Sequence, residues 1–154
     1  MNVTMRYATS EDIPEIVAML ADDPLGAARE SPDDLKPYET AFERIAADPN
    51  QHLMVAEPAD AAGQVVGTLQ LSVIHGLSRR GASRALIEAV RVHASQRGGG
   101  LGTEMIGWAV AEARRQGCAV VQLTSDATRV DAHRFYERIG FEASHLGFKM
   151  TLGG

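Results

Sequence analysis

The 154 residues are enough for one domain with a single core. A composition of 45% hydrophobic and 23% charged residues is that of a globular protein, and a net charge of −5 with no basic block argues against nucleic acid as the main partner. A single cysteine, Cys118, excludes an intrachain disulfide and a cysteine-based metal site, and no basic-then-apolar leader or membrane-length apolar run is present, so a cytoplasmic protein is expected.

In chain order, Val3 to Tyr7 reads as a strand, after which Thr9 or Ser10 caps a helix with Ile13, Ile16, Val17 and Leu20 on its apolar face. Asp22 to Asp34 is a connector rich in Asp, Pro and Gly. Pro32 is placed in the first turn of a second helix carrying Leu35, Tyr38, Phe42 and Ile45. His52 to Glu57 is a strand, Pro58 to Gly63 a hairpin turn, and Gln64 to Ile74 the return strand. Gly76 to Gly81 is a second turn, with Arg79 and Arg80 read as solvated. Ser83 to Val92 completes an antiparallel meander.

The stretch that follows carries the chemistry. Arg97, Gly98, Gly99, Gly100, Leu101 and Gly102 lead into a helix starting near Thr103, with Met105, Ile106, Ala109, Val110 and Ala113 on one face. A strand ends, the backbone turns through residues without side chains, and a helix begins. The first N–H groups of a helix lack internal partners and sit at its positive pole, so glycines there admit an anion. The pattern predicts a phosphate or pyrophosphate cradle with Arg97 at its edge. A dinucleotide G-x-G-x-x-G fails, because Thr103 or Met105 falls where the third glycine belongs, and no Gly-Lys-Ser/Thr follows to make a P-loop.

Cys118 to Thr124 is a compact strand, parallel to its predecessor because a helical crossover joins them. Cys118 itself reads as a small hydrophobe. Asp131 to Ile139 is a short helix ended by Gly140, and Phe141 to Leu152 reads as one or two final strands. The order is β-α-α-β-β-β-α-β-α-β. This is one α/β domain with a mixed, mostly antiparallel sheet flanked by helices.

Arg97-x-x-Gly100-x-Gly102 resembles the acetyl-coenzyme A signature of the GNAT superfamily of N-acetyltransferases, written Gln/Arg-x-x-Gly-x-Gly/Ala. Asp131-Ala-His-Arg-Phe-Tyr-Glu-Arg-Ile-Gly-Phe141 is similar to a second GNAT motif, in which a helix carries Ala and Phe-Tyr and closes with Gly-Phe. Where the family often has Asn seven residues before that Tyr, this chain has Arg129. Asp48-Pro49-Asn50, Asp131 to Tyr136, and Ser144-His145 with Phe148 resemble the aminoalkylphosphonic acid N-acetyltransferase branch.

The resemblance implies transfer of an acetyl group from acetyl-coenzyme A to the primary amine of a small molecule, by direct attack on the thioester. The amine must be neutral, the oxyanion stabilised and the leaving thiolate protonated. Tyr136 matches the family's tyrosine by position and is the candidate general acid. Glu88, in an expected apolar row with Leu86, Val90 and Val92, is the candidate base; desolvation there would strengthen it. A Glu paired with Arg84 or left exposed is the plainer alternative. The backbone of Val90, Arg91 and Val92 is expected to leave its parallel neighbour at a bulge and meet the pantetheine arm. Arg97, Gly98, Gly99, Gly100, Leu101, Gly102 and Thr103 would hold the pyrophosphate, and Phe135 counts with them as coenzyme-binding. No compact metal-ligand spacing is present, so no metal is assigned. The full reading is a cytoplasmic homodimer with a small-molecule acceptor and no nucleic acid or membrane partner. Its rival is a non-catalytic GNAT module that binds an acyl-coenzyme A as a sensor.

Overall fold

A computed structural model of the chain describes residues 2–153. Strands β1 (Val3–Tyr7), β2 (Gln51–Pro58), β3 (Gly67–Ile74), β4 (Arg84–Val92) and β5 (Val120–Leu123) form one sheet in sequence order. The first three junctions are antiparallel, and β4 to β5 is parallel, as the helical crossover demands. The expected α/β domain with a mixed, mostly antiparallel sheet is therefore present.

Helices α1 (Ile13–Ala21), α2 (Pro24–Arg29) and α3 (Lys36–Ala47) precede β2. The four-residue segment α4 (Ser78–Gly81) joins β3 to β4, α5 (Leu101–Arg115) joins β4 to β5, and α6 (Val130–Arg138) follows. The core is an apolar cluster that includes Met54, Leu69, Leu71 and Ile87 of the sheet with Leu101, Met105, Ile106 and Ala109 of α5. The i, i+3, i+4 stripe on α5 is thus the face that packs. Gly67 is required where α5 crosses β3: a Cβ there would come within 2.6 Å of the Met105 sulfur.

Three local expectations are corrected. The connector holds an extra helix, α2, because Asp23 accepts from the Gly26 amide at 2.5 Å and Pro24 opens the first turn. The second long helix starts at Lys36 and not near Pro32; Pro37 is the proline in its first turn. The turn with Arg79 and Arg80 is exposed, as expected, and holds both residues in left-handed backbone, φ 54° and 61°. Finally, no strand follows α6 among the described residues: 142–153 is exposed throughout and joins no sheet.

Candidate acyl-transfer site

The site begins where two strands part. β4 and β5 are paired from Arg84↔Val120 to Ile87↔Leu123 and no further. On its other side, β4 slips register against β3 between Thr68 and Gln70. Ala89 sits in that bulge with φ 54°, a conformation costly for a residue with a side chain. β4 then bends away from β5 and delivers Val90, Arg91 and Val92 to the rim of a cleft of about 710 Å³.

The floor of the cleft is the glycine loop. Gly98 and Gly100 have φ of 83° and 84°, so both need glycine's freedom, and a Cβ at either would meet nothing within 4 Å. Gly100 caps α5, and the Glu104 amide is bonded to its carbonyl at 3.1 Å. The amides of Leu101, Gly102 and Thr103 precede that first bond and so lack a partner within the helix, and these three residues line the cleft. Gly102 lies against the side wall, where an added Cβ would be 3.4 Å from Phe135 and 3.9 Å from Val92.

Of the residues expected to hold the coenzyme, Val90, Arg91, Val92, Arg97, Gly98, Gly100, Leu101, Gly102, Thr103 and Phe135 line this cleft; Gly99 does not. Unpaired amides at a helix N-terminus, a loop without side chains and a rim of Arg97, Arg129 and Arg138 fit a diphosphate. Arg97 is tethered to Asp22 at 3.1 Å, and Arg138 lies over the Phe135 ring at 5.9 Å.

Tyr136 is half-buried, edge-on to Phe135 at 5.2 Å and to Phe141 at 5.9 Å. Its hydroxyl makes no hydrogen bond among the described residues. Burial pushes its phenol up, against the opposing pull of Arg129 and Arg91. Glu88 differs from expectation. It is exposed and does not line the cleft, so the desolvating apolar row is absent. The bulge is the reason: it breaks the alternation that would have set Glu88 in line with Val90 and Val92.

Arg91 and Arg129 carry more of the site than their residue types announced. The Arg91 side chain is 15% exposed, its Nε is buried without a hydrogen-bond partner, and its counter-charge is Asp23 at 3.5 Å. Burial lowers the Arg91 pKa; Asp23 offsets this, and the positive charges of Arg129 and Arg29 lower it further. Asp23 is held below the usual carboxylate range first by the Gly26 amide and then by Arg91. Only the replacement of the family's Asn by Arg129 hinted at this cluster. The arginines of the β3–β4 turn, Arg79 and Arg80, and the histidines His75 and His93 stand outside the cleft. His75 is bonded to Ser83, and His93 to Ser95. Burial pushes the Cys118 thiol up, in keeping with a packing role.

Comparison with known proteins agrees with this geometry. Residues 13–141 match the Acetyltransferase (GNAT) family. The chain is 30% identical to an aminoalkylphosphonate N-acetyltransferase of Salmonella typhimurium, over 96% of this chain and 90% of that one. A solved structure from Bacillus halodurans C-125, described as a transcriptional regulator, is 44% identical with a TM-score of 0.90, covering 98% of this chain and 100% of the other. An acetyltransferase of Trypanosoma brucei is 26% identical with a TM-score of 0.74, covering 98% and 100%.

Proposed function

This chain belongs to the GNAT acetyltransferase family and is an acetyl-coenzyme A-dependent N-acetyltransferase, and we propose that it acetylates a small primary amine that also carries an anionic group. The parting of β4 from β5 after Ile87 and Leu123 is the observation that carries the reading. It frees the edge of Val90 to Val92 above a loop of unpaired amides. Acetyl-coenzyme A supplies the acyl group as an activated thioester. Arg97 and the amides of Gly98 and of Gly100 to Thr103 hold the diphosphate, Phe135 closes the side wall, and the β4 edge takes the extended arm.

The amine nitrogen forms a bond to the acyl carbon as the carbon–sulfur bond breaks. Tyr136 Oη gives its proton to the departing sulfur; burial raises the phenol and so favours its protonated form. Glu88 stands near the bulge but in solvent, so it acts on the amine through water. Its exposure makes it a weaker base than a desolvated carboxylate.

Support for an anionic acceptor comes from Arg91. A guanidinium this buried, with one carboxylate beside it and the charges of Arg29 and Arg129 nearby, leaves net positive charge next to Tyr136. A phosphonate or phosphate is the group such a cluster binds. The Salmonella relative is named for an aminoalkylphosphonate, in agreement. We read the chain as a cytoplasmic homodimer. A second reading, regulatory use of the bound coenzyme without turnover, has one support: the description of the Bacillus halodurans structure as a transcriptional regulator.

The deciding measurement is thiol release from acetyl-coenzyme A with an aminoalkylphosphonate and with a polyamine. Turnover with the phosphonate and little with the polyamine is expected. The reverse preference removes the anionic acceptor. Uptake of coenzyme by calorimetry with no turnover on any amine favours the regulatory reading.

A further inference from the structure

Helix α3 carries an apolar face that does not close on the sheet. Tyr38, Phe42 and Ile45 recur on one side of it, yet no residue of α3 is buried. Between that face, α1 and the sheet lies a further cavity of about 190 Å³, walled by Val17 and Leu20 of α1, Phe42 and Ile45 of α3, and Leu53 and Ala89 of the sheet. Three other lining residues, Thr68, Gln70 and Tyr38, carry polar groups, and each is engaged elsewhere. The Thr68 hydroxyl donates to the Met54 carbonyl at 2.8 Å, the Gln70 side-chain amide to Gln51 at 2.7 Å, and the Tyr38 hydroxyl to Glu30 at 2.8 Å. The cavity therefore offers an occupant carbon, and offers water few partners.

Its position ties it to the acyl-transfer cleft. Ala89, the bulged residue, lines the cavity, and the next residue, Val90, lines the cleft. Leu20 near the end of α1 lines the cavity, and Asp22 lines the cleft. Gln70, in the cavity wall, is the register partner of Glu88, so these two side chains share one face of the sheet. The cavity thus adjoins the strand segment where amine and thioester meet.

We propose that this cavity takes the side chain of the acceptor, so that the preferred amine bears an apolar group of about four to seven carbons besides its anionic group. The size follows from the volume. An apolar cavity of about 150 Å³ stays dry and holds benzene, so 190 Å³ admits an isobutyl or benzyl group and leaves a methyl group loose. Each methylene buried there strengthens binding, whereas a short acceptor leaves the wall uncovered. Arg91 on the anionic group and the cavity on the apolar one hold the amine between two groups that do not react, which orients it towards the acyl carbon. The inference rests on the reading of the acceptor as a small amine with an anionic group, and adds the class of its substituent.

The test is thiol release from acetyl-coenzyme A with two matched series: 1-aminoalkylphosphonates bearing methyl, isobutyl or benzyl, and the same amines without the phosphonate. In the phosphonate series kcat/KM should rise at least about tenfold from methyl to isobutyl or benzyl. Ala41 lines the cavity from an exposed position on α3, so a larger side chain there enters the space without displacing the core. Ala41→Phe should cut the isobutyl-to-methyl ratio at least about fivefold, and a ratio within one protein does not depend on how much of the variant is folded. A flat phosphonate series overturns the pocket and leaves the anionic acceptor standing. A rise seen only without the phosphonate supports the pocket and overturns the anionic acceptor. No turnover in either series overturns both. A ratio that survives Ala41→Phe places the apolar group elsewhere and overturns the proposal. So does a flat acceptor series combined with faster turnover of a hexanoyl than of an acetyl donor, which assigns the cavity to the acyl chain.

Discussion

Gly102 stands against Phe135: a Cβ on Gly102 would lie 3.4 Å from the ring, and Val92 would be 3.9 Å away on the next side. The glycine is thus a packing requirement of the cleft wall, since its φ needs no glycine. Gly102→Val puts two further carbons into this corner, displacing Phe135 and crowding the unpaired amides at the start of α5. Coenzyme affinity is expected to fall at least about tenfold, with the fold retained. Calorimetry with coenzyme A reads the first and circular dichroism the second. Unchanged affinity would remove Phe135 and Gly102 from the coenzyme wall.

That corner was legible from residue order alone. Arg97 to Gly102 followed by a 3.6-residue stripe admits little besides a loop feeding a helix, and the structure has it. The bulge was not legible. Ala89 is not a residue that advertises a positive φ, so strict alternation through β4 carried Glu88 into an apolar row that the slipped register denies it. Helix α2 was visible in principle, as Asp23 before Pro24 is a cap and a first turn, but six residues give no period to count. In the tail, the alternation of Leu146 to Leu152 reads as a strand in the sequence, but none follows α6 among the described residues. What a sequence does not contain is the neighbour, and none of the chain's own strands provides one.

Tyr136→Phe removes the proton donor and leaves both aromatic edges, to Phe135 and to Phe141, in place. Turnover should fall about a hundredfold while coenzyme affinity stays within about twofold. The pH profile gives a second check. Burial raises the phenol, so any activity loss due to its ionisation comes at higher pH than for an exposed phenol. Equal turnover in the variant rules Tyr136 out as the acid.

Arg91→Met keeps the length and apolar stem of the side chain but deletes the charge, leaving Asp23 without its 3.5 Å partner. For an aminoalkylphosphonate acceptor KM should rise more than about tenfold; for an uncharged or cationic amine the change should be small or favourable. Steady-state kinetics on the two acceptors measures the split. A uniform loss on both would assign Arg91 to the coenzyme or to the fold, and not to acceptor choice.

Away from the cleft, Arg6 ties β1 to the turn before α1 and to β2. It bonds Asp12 at 2.7 and 2.9 Å and also reaches Glu57. Its hydrogen bonds hold Asp12 below the usual carboxylate range, and the Gly63 amide, followed by Arg6, does the same for Glu57. Carboxylates depressed in the folded state bind fewer protons there than in the unfolded chain. Their contribution is therefore complete above about pH 5 and is lost as pH falls through about 4 towards the folded values. Asp12→Asn should cost about 1–2 kcal/mol at neutral pH, a figure held down because the Arg6 guanidinium is partly exposed. At pH near 3, below the unfolded value, the natural protein has itself lost part of that contribution, so the gap between the two should shrink. Urea midpoints at both pH values test this, and a gap of the same size in acid would mean that shape and not charge holds this corner together.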